Sequence, residues 1–307
     1  MTSAPDRRKP TAMSEQLPQW PVNNCVIDVE SLLSEPDETE FLRLSFEMLK
    51  EATSLVSIAF GVRPVSDPIG WGRNDAILVG HLARMARLMR SIVRQVADGH
   101  GGDLQIAVQR QFLESASTTI YLIEDDGSGE RYDSYVFDSL IPERELLAEI
   151  ETNVEKRGGD VLPIEVRMRA SIADTLAAAG VSLEDVPSRR ANKWPSAQTR
   201  VELLGTAAYK SYRTSSGAIH GSFTDMEKHY LVRIGDRFDV ELDALPFRPH
   251  TLTSLARLAL YVVSRFASAK NPMVNTVYAK AISDFSDAVA RLDDLHERFL
   301  TSRRWTE

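Results

Sequence analysis

The chain has 307 residues, 43% hydrophobic and 26% charged, and a formal net charge of −8. Those proportions describe a soluble globular protein, long enough to bury a large core. The acidic total excludes bulk electrostatic capture of nucleic acid and leaves only a local basic patch for that purpose. The single cysteine, Cys25, excludes an internal disulfide and fits a reducing cytoplasm.

Residues 1–24 are rich in Pro, Ser and charge and are expected to form a flexible tail. They lack the apolar core of a signal peptide. No apolar run approaches the roughly 20 residues that a membrane span requires. A cytoplasmic protein with no membrane partner is expected. Cys25 has no neighbouring His or Lys to lower its pKa and reads as an unreactive thiol.

From residue 25 to 307 the pattern is that of one helical domain. Val26 to Leu33 is a short apolar lead-in. Asp37 is placed to cap a helix whose apolar face is Phe41, Leu44, Met48, Ala52, Leu55 and Ala59. A Gly- and Pro-rich loop, 61–72, follows. Asn74 or Asp75 then caps a helix to about Ala97, with Leu78, Leu82, Met85, Met89 and Ile92 on one side. Its other side carries Arg84, Arg87, Arg90 and Arg94, and no acidic residue lies between Asp75 and Asp98. These four arginines are either a solvated face or an anion-binding surface, with RNA as the first candidate. After a glycine turn at 99–102, Asp103 caps a helix to Ile123.

Glu124-Asp125-Asp126 reads as a solvated turn and not as a metal site, because no second acidic motif accompanies it. Residues 131–156 are helical with an expected interruption near Pro142. Pro163 opens a helix that stops at Gly180. Val181 to Ser196 is the longest loop. Its Arg189, Arg190, Lys193 and Trp194 suit either a ligand-covering loop or a connection held by one Trp. A helix from about Ser196 carries the most unusual stretch, Tyr209 to Gly221. Residues 229–242 alternate about Gly235-Asp236 and predict a short β-hairpin. Pro249 and Pro272 open the last two helices. The fold expected is all-α, with about seven to nine helices and this one hairpin.

Signatures of several enzyme classes are absent. There is no phosphate loop, no dinucleotide fingerprint, no G-x-S-x-G elbow and no zinc spacing. No cofactor or metal is called for. What stands out is polar. Tyr209, Arg213, Ser216 and His220 recur at intervals of four, three and four and so share a helix face. In the earlier helix Arg110, Glu114, Ser117 and Tyr121 repeat the same intervals. Arg213 and His220 lie two turns apart, about 10.5 Å between Cα atoms, a span over which both can reach one phosphate. A His can move the proton of an attacking 2′-hydroxyl, and an Arg can stabilise the charge building on phosphate oxygens.

The R-x6-H spacing late in a helical domain resembles the HEPN superfamily of prokaryotic ribonucleases and toxins. More narrowly, Arg110-Gln-Phe-Leu-Glu114 paired with Tyr212-Arg213-Thr-Ser-Ser-Gly-Ala-Ile-His220 is similar to a bacterial family of uncharacterised helical proteins over about residues 75–230. The resemblance implies a metal-independent endoribonuclease or toxin, in a setting such as phage defence. It further implies catalysis by Arg213 and His220 and a homodimer whose two pairs line one cleft. Thr214 departs from the polar Asn, Asp or His that often follows the Arg. Arg94 with His100 and Arg291 with His296 also satisfy the loose spacing, but the latter pair does not share a helix face. The alternative reading is a non-catalytic interaction or scaffold protein. In it Arg110, Glu114, Tyr209, Arg213 and His220 form a buried network between two helices that fixes helix register.

Overall fold

A computed structural model of the protein describes residues 27–62, 70–99, 105–243 and 246–303. The expected tail at 1–24, Cys25, most of the loop at 61–72, and His100 and Asp103 lie wholly or partly outside them. In chain order the helices are α1 (Val29–Ser34), α2 (Thr39–Gly61), α3 (Arg73–Ala97), α4 (Gln105–Ile123), α5 (Glu130–Lys156), α6 (Pro163–Ala179), α7 (Ala197–Glu202), α8 (Thr206–His220) and α9 (Phe223–His229). Two strands follow, β1 (Leu231–Ile234) and β2 (Arg237–Val240), and then α10 (Pro249–Lys270) and α11 (Pro272–Ser302). The protein is all-α with one short hairpin. Eleven helices stand among the described residues instead of seven to nine, because α1, α7 and α9 are each only one or two turns long. Packing separates two compact units, Trp71–Pro246 and a second made of Met1–Gly70 with Phe247–Glu307.

In the second of these units α2 packs on α10 and α11, and α1 packs on α11. The 3.6-residue repeat does the work: Phe41, Met48, Ala52, Leu55 and Ala59 are fully buried, as are Leu252, Ala256, Ala259 and Val263 of α10. Burying such side chains contributes about 1.5–3 kcal/mol for each large one. Asn271 joins α10 to α11 and is itself 4% exposed. Its Nδ2 donates to the carbonyls of Ala59 (3.2 Å) and Val62 (2.8 Å), which α2 leaves open at its end. Its Oδ1 accepts from the Val274 amide at 3.1 Å and so caps α11.

In the unit 71–246, α4 is the central helix and touches α3, α5, α7 and α8. Its sequence suits that place. Ser115, Ala116, Ser117, Thr118 and Thr119 are all buried and small, so several neighbours can approach. The hydroxyls of Ser115, Ser117 and Thr119 return to carbonyls of their own helix, at 3.1, 3.1 and 2.8 Å, and burial leaves none of them unpaired. The hairpin pairs Leu231 with Val240 and Ile234 with Arg237, and Gly235 takes the turn at φ +62°.

Four local expectations change. The N-cap of α2 is Glu38 in place of Asp37, whose Oδ1 accepts from the Thr39 amide at 2.9 Å. Pro142 does not interrupt α5; the helix continues through it. Pro removes one hydrogen bond from the helix interior, and the burial of Leu140 and Ile141 just before it holds the helix there against that cost. The helix expected from Ser196 is two helices, α7 and α8, separated at Gly205, whose φ of +95° is open to glycine and not to other residues. The N-cap of α3 is Gly72, without a side-chain bond, in place of Asn74 or Asp75.

Replacement of Asn271 by Ala removes the α11 cap and leaves two buried carbonyls without their donor. The expected cost is about 2–3 kcal/mol in urea denaturation of the full chain.

Candidate functional site

Helix α8 packs against α4 and α7. Its contact side is polar, and one residue of α4 reaches across to it. The Arg110 guanidinium donates from Nη1 to the Ser216 hydroxyl and from Nη2 to the Tyr212 hydroxyl at 2.9 Å. Its Nε donates to Glu114 Oε1 at 3.3 Å, one turn along α4. The guanidinium carbon also lies 4.2 Å from the Tyr212 ring centroid, a cation–π contact. Tyr212 and Ser215 are buried, and the Ser215 hydroxyl donates to the Tyr212 carbonyl at 2.7 Å. Burial, the largest influence, pushes the Tyr212 phenol above its ordinary value, so it remains a hydroxyl.

The two polar stripes therefore meet, but not residue for residue. Arg110, Glu114 and Ser216 come together, and Tyr212 completes the group. Arg213 and His220 are outside it: both are exposed. The Arg213 guanidinium carbon lies 5.9 Å from the Tyr209 ring centroid on the same helix. Arg84, Arg87, Arg90 and Arg94 are all exposed on α3, whose opposite side buries Leu78, Leu82, Met85, Met89 and Ile92.

A second polar group was not visible as a motif. His81 sits on the buried side of α3, spaced with Leu78 and Met85 as a core residue would be. Its Nε2 is 3.1 Å from the Tyr135 hydroxyl, while its buried Nδ1 has no partner. Burial, reinforced by the charges of Arg84 and Arg200, lowers its pKa to about 4. The Tyr135 ring meets Trp194 edge-on at 5.2 Å, and Trp194 meets Tyr121 at 5.3 Å. Buried Arg200 covers Trp194 at 4.6 Å and donates to the Pro195 carbonyl. These contacts tie the 181–196 loop down at Trp194. Beside Tyr135 lies a largely apolar cavity of about 350 Å³, lined by Ala76, Ile77, Leu140, Thr175 and Ala179. The sequence signal for His81 was a histidine at a core-spaced position, which by itself names no partner.

The matched segment spans the helices just described. A family model matches residues 75–237, more than half of the chain. The chain belongs to that family, DUF5677, a family of unknown function. No curated protein and no solved structure matches it. The family boundaries fall just after the start of α3 and at the first residue of β2. They enclose Arg110, Glu114, Tyr209, Arg213, Ser216, His220 and the four α3 arginines. Among the described residues, no group of His, Cys, Asp and Glu is arranged to hold a metal ion, and no helix is long and apolar enough to cross a membrane.

The buried His81 links stability to pH. Its folded pKa of about 4 lies below the ordinary 6.5, so the unfolded chain takes up the proton first on acidification. The stability held above pH 6.5 is lost as pH falls from there toward 4, at up to about 1.4 kcal/mol per pH unit. Denaturation in urea at pH 7 and pH 5 is expected to show about 2 kcal/mol from this group. The His81→Gln variant is expected to lack that share of the slope.

Proposed function

We propose that the protein is a HEPN-like, metal-independent endoribonuclease whose reacting groups are Arg213 and His220. The observation that carries this reading is the exposure of Arg213 and His220 beside a fixed contact. Arg110 pins Tyr212 and Ser216 of α8 to α4, and Arg213 and His220, on the face that Ser216 shares, stand exposed two turns apart. In the reaction, the 2′-hydroxyl of a ribose attacks the adjacent phosphorus and the bond to the 5′-oxygen of the next nucleotide breaks. His220 accepts the proton of the 2′-hydroxyl or delivers one to the departing oxygen. The Arg213 guanidinium holds the phosphate oxygens as negative charge builds on them.

The exposed Arg84, Arg87, Arg90 and Arg94 of α3 supply the local positive surface that an acidic chain needs to hold RNA. A homodimer, with the pairs of two copies lining one cleft, belongs to this reading, as do a toxin role in bacterial phage defence and a cytoplasmic location. The rival reading is a non-catalytic interaction protein. It is favoured by the hairpin, which exposes Ile234, Phe238 and Val240 at 59, 47 and 62%. Exposed apolar side chains on an open strand pair are a common basis for protein docking.

Cleavage of a mixed RNA pool in EDTA separates the two. Wild type is expected to cut, and Arg213→Ala and His220→Ala are each expected to lose about 10²–10⁴-fold, with unchanged circular dichroism. Equal cutting by all three would place the activity elsewhere. No cutting by wild type would favour the interaction protein.

A further inference from the structure

Helices α10 and α11 carry a third polar group, outside the family segment. Asp293 on α11 is 8% exposed. A carboxylate is costly to bury unless its oxygens are satisfied, and here three residues of α10 satisfy them. Thr253 donates its hydroxyl to Oδ1 at 2.8 Å, His250 Nδ1 stands 3.0 Å from the same oxygen, and Arg257 Nη1 donates to Oδ2 at 3.2 Å. The positions 250, 253 and 257 are spaced at i, i+3 and i+7, so one face of α10 presents all three.

The fourth member is Ser254. It lies one turn after His250, and its Oγ is 3.4 Å from His250 Nε2. The carboxylate decides how this contact is used. Burial works to raise the Asp293 pKa, but the hydrogen bonds from His250 and Thr253, with the charges of His250 and Arg257, outweigh it and hold the carboxyl below its usual value. An ionised Asp293 only accepts, so Nδ1 carries the hydrogen. In the neutral ring Nε2 is then the acceptor, and the Ser254 hydroxyl donates to it. The chain of contacts runs from serine Oγ to Nε2, through the ring, and from Nδ1 to a buried carboxylate. That is the order of groups that activates a serine for acyl transfer.

We propose that Ser254, His250 and Asp293 form a nucleophilic serine centre that accepts acyl groups from small esters. The Ser254 Oγ attacks the ester carbonyl and passes its proton to His250 Nε2. The bond from the carbonyl carbon to the alcohol oxygen breaks, and that oxygen takes the proton from Nε2. Water then attacks the acyl-serine, giving its proton to Nε2, and the carboxylic acid leaves as Ser254 recovers its hydrogen. The His250 side chain is 58% exposed, so the centre meets small substrates arriving from solvent. Ser254 and His250 are the catalytic residues. Asp293 touches no substrate and is a positioning residue. Its bonds to Thr253 and Arg257 already tie α11 to α10, whereas the Ser254 contact lies on the other side of the ring and adds nothing to that tie.

The charges around His250 make the base stronger. The hydrogen bond that His250 donates to Asp293 is the largest influence and raises its pKa; burial opposes this, the charges of Asp293 and Glu297 add to the rise, and Arg257 subtracts. Reactivity is expected to increase with pH as Nε2 loses its proton, at a midpoint above the ordinary 6.5.

The test uses the full chain and an alkyl fluorophosphonate, which exchanges its fluoride for a phosphorus–oxygen bond to an activated serine. Peptide mass spectrometry reads the site. The expected result is an adduct on Ser254 that forms at least about tenfold more slowly in His250→Gln. In Asp293→Asn the midpoint of the pH–rate curve is expected to fall. An unmodified Ser254 peptide in wild type would overturn the proposal, and so would labelling at an equal rate in wild type and His250→Gln. Should Asp293→Asn unfold, the exposed His250→Gln and Ser254→Ala variants still decide. With 4-nitrophenyl acetate, turnover by Ser254→Ala equal to wild type would also refute it.

Discussion

A guanidinium has five N–H donors, no acceptor and a charge it does not lose, so it can leave water only where acceptors already surround it. Arg110 meets that condition between α4 and α8. Its side chain is 17% exposed, and Ser216, Tyr212 and Glu114 each take one of its nitrogens. The directions of these bonds are fixed by the planar fork, so α8 cannot rotate about its axis without breaking at least two of them. An apolar contact would tolerate such a rotation; this one does not. Which residues of α8 face outward is therefore settled by Arg110. Glu114 has a second task, because its charge also offsets the buried Arg200. Removing Glu114 would leave Arg110 without its carboxylate, while Arg200 would keep the charge of Asp138.

The elements that could be read from the chain are those whose cause is local. The buried face of α2 was legible at Phe41, Met48, Ala52 and Leu55 because one side of the helix stays apolar along its length against α10 and α11. The hairpin was legible because Gly235 and alternation coincide. The end of α6 was legible at Gly180, which takes φ +67°. What could not be read depends on distant partners. Tyr212 is one residue from Arg213 and so about 100° around the helix; only the side from which α4 approaches decides that Tyr212 is the buried one. The break at Gly205 has the same origin. Gly favours no single φ, and packing of α7 and α8 on α4 selects the left-handed value. The Asp293 group is built from residues 36 to 43 positions apart, and no window of sequence contains it.

Two histidines show how environment divides the uses of one side chain. His81 is enclosed, faces two cations and has a phenol for its partner. Every influence on it favours the neutral ring, so it serves as a polar core residue that cannot gain a proton cheaply. His250 is more than half exposed and faces a carboxylate, which favours the charged ring and fixes the hydrogen on Nδ1. The first arrangement moves the titration of its ring down to about 4; the second moves it up. Neither difference can be read from the sequence neighbours of the two residues, because burial acts on one and Asp293 acts on the other from across a helix pair.

The same contrast bears on what each polar group can do chemically. Arg213 and His220 project from a helix whose orientation is fixed, yet among the described residues no hydrogen bond orients the His220 ring. A free ring can present either nitrogen, which suits proton exchange with a substrate that itself supplies the geometry, as a phosphodiester gripped by arginine does. At α10 the substrate supplies little, and the protein fixes the ring instead: Asp293 holds one nitrogen and Ser254 meets the other. Phosphoryl chemistry on α8 would thus depend on how well the anion is bound, and acyl chemistry on α10 on how well the imidazole is held. The two groups share no residue and lie in different packing units, so a loss at one is not transmitted to the other through any shared hydrogen bond.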